Sequence, residues 1–335
     1  AGLLMYLSPF VLSQDNYPPV GISDVRPEIY GLKNARVVVD YKQTLEDADI
    51  LVKEGRITRL GKGLSFPEGT VVIDLKGKSI YPSFIDPYTS YGIEDGGGEE
   101  QNPMAMMMRA TQRTGARQEE EPRVADYWNM HIRESYNAID EFKHDEKKLD
   151  ELRKAGFGSV LTFKNNGLAR GTSLVTTLGE DKAQGTVIKD RSTVNYALQR
   201  GRGEDMYPMA QFGSIALLRQ FNYDGQWYES LPGGYFYDAS LEALKRNKSL
   251  PRVFGVRNKY EVLRALAIGA EFGFTPIVKG GGDEYQLQDE IKKWGVSLII
   301  PLDFPEAPDV KDPYDAAAVS LSQLKHWEMA PANAY

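Results

Sequence analysis

The chain has 335 residues, of which 41% are hydrophobic and 26% charged, and this length predicts one large domain with a small accessory domain. Its net charge of −7 and its pI near 5.3 argue against a nucleic-acid partner or an anionic membrane surface, because both require clustered basic residues. The sequence contains no cysteine, which excludes disulfides, thiolate metal sites and cysteine nucleophiles within it and leaves the redox compartment open.

The first 13 residues (AGLLMYLSPFVLS) are apolar and uncharged, and the chain turns polar at Gln14. This run is shorter than the roughly 20 residues of a membrane-spanning helix, so no membrane span is predicted. It matches the apolar core of a secretory signal with small residues ahead of a cut at Gln14. We therefore expect a signal-peptide remnant at residues 1–13, a linker at residues 14–33, and export to the periplasm, the outer-membrane surface or the extracellular medium. A buried amphipathic segment is the alternative for residues 1–13.

Short strands are predicted from residue 34 onward. Residues 35–40 (ARVVVD) alternate as a strand, and residues 49–52 and 56–60 flank a Lys-Glu-Gly turn, which is typical of a hairpin. Residues 70–75 (TVVIDL) predict a further alternating strand that leads into the central stretch of the sequence.

That central stretch is residues 76–92 (KGKSIYPSFIDPYTSYG). Residues 80–85 predict a short buried parallel strand, with Pro82 at its start because proline cannot donate to a sheet ladder. Asp86 and Thr89 close the run, where a parallel strand would deliver polar side chains to a cleft. We expect Asp86 to cap the backbone at the end of this strand.

A low-complexity insertion at residues 94–126 predicts a flexible loop. Residues 138–155 predict an amphipathic helix that ends at Gly156. Beyond it, strands alternate with helices, which predicts a parallel sheet with crossover helices in a barrel or a doubly wound fold. The predicted strands are residues 159–163, 173–178, 252–256, 275–279 and 296–301, and the predicted helices are residues 241–247, 259–272, 284–294 and 316–327.

Residues 77–92 have the pattern G-K-x-I-x-P-x-F-I-D-x-x-x-x-x-G, which resembles the start of the barrel in the amidohydrolase superfamily. This superfamily comprises metal-dependent hydrolases related to imidazolonepropionase, dihydroorotase and urease. Residues 151–160 (ELRKAGFGSV) resemble its second barrel strand, and residues 260–302 resemble two of its late βα units. The chain also resembles the N-terminal unit of secreted tandem amidohydrolase-like proteins of the Bacteroidetes type.

The resemblance implies an α/β fold with a (β/α)8 TIM-type barrel at residues 80–335, preceded by part of a small β-sandwich at residues 34–79. It also implies that this barrel is incomplete and that the chain continues beyond Tyr335, because residues 331–334 resemble a family stretch that leads into further barrel strands. A downstream or partner amidohydrolase unit is then the expected partner.

The family binds metal ions through an H-x-H pair, and those two positions fall on Tyr88 and Ser90. The three histidines of this chain lie elsewhere: His144 and His326 are predicted within helices, and His131 in a loop or at a helix start. A two-metal hydrolase site needs several imidazoles and carboxylates that converge. We therefore predict no metal in this segment, and zinc or another divalent metal only in a downstream catalytic unit.

No catalytic residue is assigned from the sequence. The candidates for a cleft are Asp86, Tyr88, Ser90, Lys164, Lys279 and Asp303. Lys279 begins a Lys-Gly-Gly-Gly-Asp run between a strand and a helix, where the glycines favour a tight turn. An anion site is the weaker interpretation of this run, because it fits neither the Walker pattern nor G-x-G-x-x-G.

Two functions follow from the resemblance. In the first, the longer polypeptide is a secreted enzyme that hydrolyses C–N bonds in amides or cyclic amides, and this segment is its metal-free part. In the second, the chain is a non-catalytic pseudo-amidohydrolase that acts as a binding or scaffolding subunit of an envelope complex. The substrate, a small molecule or a peptide, is not identified by either hypothesis.

Overall fold

The computed structural model describes residues 29–93, 126–179, 183–201, 207–232 and 236–334. The predicted signal-peptide remnant, residues 14–28 of the predicted linker and nearly all of the predicted insertion lie outside the described residues. The chain forms two compact units, Ala1–Pro82 and Ser83–Tyr335. Among the helices that the structure describes, none is both long and apolar enough to cross a membrane.

The described part of the first unit is a sheet of five short strands. They are β1 (Ile29–Val38), β2 (Thr44–Lys53), β3 (Arg56–Gly61), β4 (Val71–Asp74) and β5 (Ser79–Ile80). Their order is β3-β2-β1-β4, and β5 also pairs with β1. The predicted hairpin is confirmed, because β2 and β3 pair antiparallel and both Glu54 and Gly55 adopt the positive φ of a tight hairpin turn. The sandwich stays a prediction, since these residues form a single sheet.

The described part of the second unit alternates strands with helices. Its strands are β6 (Phe84–Thr89), β7 (Phe157–Thr162), β8 (Ala169–Thr172), β9 (Leu174–Thr177), β10 (Val187–Lys189), β11 (Val194–Ala197), β12 (Arg252–Gly255), β13 (Ile277–Lys279) and β14 (Leu298–Ile299). Its helices are α1 (Ala138–Glu141), α2 (Glu146–Lys154), α3 (Ala183–Thr186), α4 (Gln211–Ser230), α5 (Ala239–Arg246), α6 (Lys259–Glu271), α7 (Gln288–Trp294), α8 (Pro313–Ala318) and α9 (Leu321–Met329). Short 3-10 helices span Glu284–Leu287 and Ala330–Ala334.

These strands form two sheets, in the orders β10-β9-β7-β6 and β14-β13-β12-β11-β8. Only Ser173 separates β8 from β9, so one extended stretch of chain joins the two sheets. The predicted parallel pairing is confirmed for β6 with β7 and for β11 through β14. The stretch from β8 to β9 instead runs antiparallel to its neighbours β7 and β11. The described strands therefore form an open array, with β6 and β14 at sheet ends, and barrel closure stays a prediction.

The predicted strand at residues 80–85 is wrong in two respects. Ile80 belongs to β5 of the first sheet, and β6 begins only at Phe84, because Pro82 lacks the N–H that a continuous ladder would need. Phe84 and Ile85 are also not buried, with exposed fractions of 63% and 65%. Because successive side chains alternate along a strand, these two exposures mean that neither face of β6 is covered at its start.

Two predicted helices are each interrupted. The helix predicted at residues 138–155 is divided into α1 and α2, because the Asp145 side chain accepts a hydrogen bond from the Lys148 N–H and starts a new helix there. The helix predicted at residues 316–327 is divided into α8 and α9 by a capping box in which Ser320 and Gln323 satisfy each other's backbone. In both cases a polar N-cap residue begins a second helix within the predicted range.

The core of the second unit lies between β11–β13 and helices α4, α5 and α6. Phe221 of α4, Leu244 of α5 and Leu266 of α6 are buried in one cluster with Phe254 of β12. The sequence analysis missed β11 and all 20 residues of α4. Helix α4 begins after an alanine, which offers no capping side chain, and it contains two glycines and several aromatic residues of low helix propensity. Burial in the tertiary core stabilises it instead.

Candidate functional site

The ends of strands β12 and β13 present different residues to their two faces, because successive side chains alternate along a strand. Phe254 and Val278 are neighbours in register and lie in the buried cluster with the helices. Gly255 and Lys279 are the next pair in register and therefore face the opposite side. They are the last residues of their strands, at the carboxyl edge where parallel α/β sheets place binding sites.

Tyr88 reaches this edge from β6. Its ring packs edge-on against Phe163, with 4.8 Å between the ring centroids. Its hydroxyl lies so close to Gly255 that a Cβ atom there would overlap it. The ammonium group of Lys279 lies 5.7 Å from the centroid of the Tyr88 ring. The structure therefore brings together two of the predicted cleft residues, Tyr88 and Lys279, across the two sheets.

Arg170 of β8 completes this cluster and was missed by the sequence analysis. Its Nη1 donates to the Tyr88 hydroxyl at 3.1 Å and to Asn165 Oδ1 at 2.5 Å, while its Nε donates to the Gly167 carbonyl at 2.9 Å. The Arg170 residue is only 6% exposed. A sequence signal existed, since Arg170 is the charged residue in a short run of small residues, Ala-Arg-Gly-Thr, that forms a fully buried strand. We call Tyr88, Arg170, Gly255 and Lys279 the Tyr88 cluster.

The Tyr88 cluster contains two cations without a described carboxylate partner. Among the described residues, neither Arg170 nor Lys279 forms an ion pair or a hydrogen bond with an aspartate or a glutamate. Lys164 differs, because its Nζ lies 2.8 Å from Glu141 Oε2 and also packs over the Tyr136 ring. The charge of Lys164 is thus balanced by Glu141. No carboxylate among the described residues pairs in this way with the cations of the Tyr88 cluster.

The remaining candidates contribute structure or lie apart. Asp86 Oδ1 accepts a hydrogen bond from the Tyr88 N–H at 3.0 Å, which confirms the expected backbone cap. The Ser90 carbonyl accepts from the Ile93 N–H at 3.1 Å in the turn after β6. Asp303 is exposed in an irregular segment between β14 and α8 and is not brought to the Tyr88 cluster by any recorded contact.

The three histidines lie in different environments. His144 is not in a helix as predicted, but between α1 and α2, where Nδ1 lies 3.1 Å from the Tyr91 hydroxyl and Nε2 lies 3.1 Å from the Thr186 hydroxyl. His326 lies in α9, as predicted, and lines a cavity of about 480 Å³ with other residues of α9, with Lys259 of α6 and with residues of the segment 283–286. His131 is fully buried in a turn before α1.

A divalent metal ion of the kind the resemblance implies does not fit the Tyr88 cluster. The Tyr88 hydroxyl, which stands at the first histidine position of the family motif, already accepts a hydrogen bond from a guanidinium group. Arg170 and Lys279 would repel a cation placed beside it. Within the described residues, no group of three histidine, aspartate or glutamate side chains could hold a metal ion. Whether the whole chain lacks metal stays a prediction.

The glycine run after Lys279 forms a tight turn whose N–H groups are already satisfied. Glu284, which is buried, accepts hydrogen bonds from the Gly281 N–H at 2.5 Å and the Gly282 N–H at 3.0 Å, and Asn333 Nδ2 donates to it at 2.7 Å. A Cβ atom at Gly281 would overlap the carbonyl oxygen of Arg257. The tight-turn interpretation is therefore confirmed, and these two donors are not free for an anion.

A second buried polar group lies behind β11. The hydroxyl of Tyr196 donates to Glu134 Oε1 at 3.2 Å, while Glu134 Oε2 is buried without a hydrogen-bond partner in the described residues. Burial raises the pKa of Glu134 to about 8, although the positive charge of Arg252 opposes this increase. Glu134 is therefore largely protonated at neutral pH.

The comparisons with known proteins indicate the fold. The structure superposes on an amidohydrolase from Thermotoga maritima with a TM-score of 0.64 and 16% sequence identity, over 90% of this chain and 76% of that chain. At this identity the likeness shows a shared fold and no shared activity. No known protein-family profile matches the chain.

Short segments also match curated proteins. A dihydroorotase from Methanosarcina mazei is 34% identical over 65 residues, which cover 19% of this chain and 14% of that protein. An adenine deaminase from Lactobacillus delbrueckii subsp. bulgaricus is 39% identical over 57 residues, which cover 17% of this chain and 10% of that protein. The matches thus span only a small part of these relatives. Taken with the shared fold, they support a relationship with the amidohydrolase superfamily.

Proposed function

We propose that the intact polypeptide is an exported amidohydrolase that hydrolyses C–N bonds in amides or cyclic amides, and that the described second unit is a part of it without metal ligands of its own. The observation that carries this proposal is the environment of Tyr88. A phenol held by Arg170 occupies the motif position of a metal-binding imidazole, and it lies so close to Gly255 at the end of β12 that a Cβ atom there would overlap it. Hydrolytic chemistry then belongs to another amidohydrolase unit, which is the proposed partner.

The test is an anomalous-diffraction experiment on crystals of the full natural polypeptide purified with zinc, together with an assay of amide hydrolysis before and after chelation. We expect hydrolysis that chelation removes and zinc peaks distant from the Tyr88 hydroxyl. A zinc peak within coordination distance of Tyr88 would contradict the proposal that this unit has no metal ligands of its own. A polypeptide with neither zinc nor hydrolysis would contradict the enzymatic proposal and favour the second candidate.

The second candidate is a non-catalytic binding or scaffolding subunit of an envelope complex, and the open edge of β6 favours it. This strand pairs only with β7 among the described strands, and its Phe84 and Ile85 side chains are exposed. An exposed apolar strand edge is a template for pairing with another chain or unit. Strand β10, at the other end of the same sheet, offers a matched control in Ile188, which is 62% exposed.

A lysine placed on each end strand tests this docking role. We expect Ile85→Lys in the full polypeptide to release the partner unit, seen as a smaller mass by light scattering or faster proteolysis between units. The Ile188→Lys variant should leave both readouts unchanged. Equal effects of the two substitutions would contradict a specific role for the β6 edge.

Export of the protein is proposed from residues 1–13, whose apolar composition supports a secretory signal. N-terminal sequencing of protein recovered from the cell envelope is expected to begin at Gln14. Recovery of envelope protein that still carries residues 1–13 would contradict the cleavage.

A further inference from the structure

The Tyr88 cluster has more positive charge than its surroundings balance. Arg170 is nearly buried, and a buried cation is costly unless a counter-charge lies close to it. The carboxylates nearest to the cluster along the chain accept hydrogen bonds from other groups: Asp86 from the Tyr88 N–H, Glu261 from Arg257 and two glutamines, Asp283 from the Lys259 N–H, and Glu284 from the glycine turn. The charge of Arg170 and Lys279 is therefore left for a group that the described residues do not supply.

The unused donors point to where that group would bind. The Nε and Nη1 atoms of Arg170 are engaged with Gly167, Asn165 and Tyr88, but Nη2 has no hydrogen bond in the described part of the chain. The Lys279 ammonium has three donors and contacts the Tyr88 ring face through a cation–π interaction only.

The two groups are close to the same backbone position. Lys279 is the register neighbour of Gly255 on the adjacent parallel strand. Nη1 of Arg170 lies 3.7 Å from the place of a Cβ atom on Gly255. Because Gly255 has no side chain, the phenol oxygen and the guanidinium lie beside it, and the ammonium group of Lys279 lies over the ring of that phenol. An oxyanion that enters beside Tyr88 can therefore accept hydrogen bonds from Arg170 and Lys279 together.

We propose that the Tyr88 cluster binds the carboxylate group of a small molecule. A carboxylate fits better than a phosphate, because phosphate sites in such folds use backbone N–H groups of a glycine turn, and here Glu284 already occupies those donors. The site extends the proposed binding role of this unit, but binding is measured without reference to hydrolysis, so the two proposals fail independently.

The test is calorimetric titration of the full polypeptide with N-acetylglycine, succinate and inorganic phosphate at constant ionic strength. We expect N-acetylglycine or succinate to bind more tightly than phosphate. Lys279→Gln should weaken binding by about tenfold or more, since it removes a charge-assisted hydrogen bond, whereas Lys279→Arg should retain most of the affinity. Lys248→Gln is the matched control, because Lys248 pairs with Glu229 on the surface and its loss removes the same charge.

Among the described residues, the Lys279 side chain donates no hydrogen bond, and the bond from the Val256 N–H to its backbone carbonyl is kept in any variant, so the variants are expected to fold normally, as checked by circular dichroism. Carboxylate affinity of the Arg170→Gln variant, measured on folded protein, is a second test of the site. Carboxylate affinity that is unchanged in Lys279→Gln, or the absence of binding by both carboxylates, would overturn the site. Tighter binding of phosphate would overturn the ligand class.

Discussion

Gly255 and the hydroxyl of Tyr88 require each other: a Cβ atom on Gly255 would overlap the phenol oxygen, which in turn accepts a hydrogen bond from Arg170. The pair joins β6 of one sheet to β12 of the other. A small residue on one strand thus determines how far a large residue on another can reach. The position of Arg170, and with it the charge of the cluster, depends on this contact.

We expect Gly255→Ala to destabilise the protein by about 1–3 kcal/mol, because the added methyl group forces Tyr88 away from its position. In a Tyr88→Phe background the same substitution should cost clearly less, since the overlapping oxygen is gone. Thermal unfolding of the four proteins in this cycle measures the difference. Gly179→Ala is the control, because its Cβ would make ordinary contacts of 3.5 Å and 3.7 Å. Additive effects of the two substitutions would show that the overlap is relieved in another way.

Glu134 predicts a pH dependence of stability. Its folded-state pKa of about 8 lies above the ordinary value of 4.5, so the folded protein binds the extra proton between these two pH values. The contribution of Glu134 to the free energy of unfolding therefore decreases as the pH rises from about 5 to 8, by up to about 1.4 kcal/mol per pH unit. Glu134→Gln should flatten this part of the profile of melting temperature against pH.

The control for Glu134 is Glu68→Gln, which changes an exposed carboxyl group. That variant should follow the pH profile of the natural protein. A profile that stays equally steep in Glu134→Gln would mean that other groups cause the pH dependence.

Substitution of the buried Glu284 should strongly reduce the stability of the protein. Glu284→Ala leaves two glycine N–H groups and the Asn333 amide without an acceptor, and we expect a loss of about 2–4 kcal/mol. Glu290→Ala provides the contrast, because Glu290 forms an exposed ion pair with Lys293 and its loss should cost less than about 1 kcal/mol. Chemical denaturation of the two variants gives the comparison, and similar losses would contradict the role assigned to Glu284.

The capping box at the start of α9 predicts a local effect. Ser320→Ala removes the acceptor of the Gln323 N–H and should destabilise the helix by about 1 kcal/mol. Hydrogen exchange of the first turn of α9 should then become faster, while exchange in α6 is unchanged. Ser322 lies two residues after Ser320 and takes no part in the capping box, so Ser322→Ala should leave this exchange unchanged. Equally fast exchange in the Ser322→Ala variant would indicate general fraying of the helix.

The sequence by itself determined the features that depend on neighbours in the chain. The hairpin between β2 and β3 followed from the Lys-Glu-Gly turn, whose residues tolerate a positive φ. Gly156 was expected to end a helix, and it adopts a positive φ two residues after the last residue of α2. The βα alternation that produces β12, β13 and β14 was also visible, because polar and apolar residues repeat with the period of each element.

Only the tertiary structure decided which of these elements meet. Arg170 and Tyr88 are 82 residues apart, and no local pattern indicates that a guanidinium from β8 would contact a phenol from β6. Helix α4 was hidden for the same reason, because its weak local propensity is compensated by the burial of residues such as Phe221. Long-range contacts of this kind are decided by the packing of the whole unit, since the free energy gained on burial depends on distant partners rather than on adjacent residues.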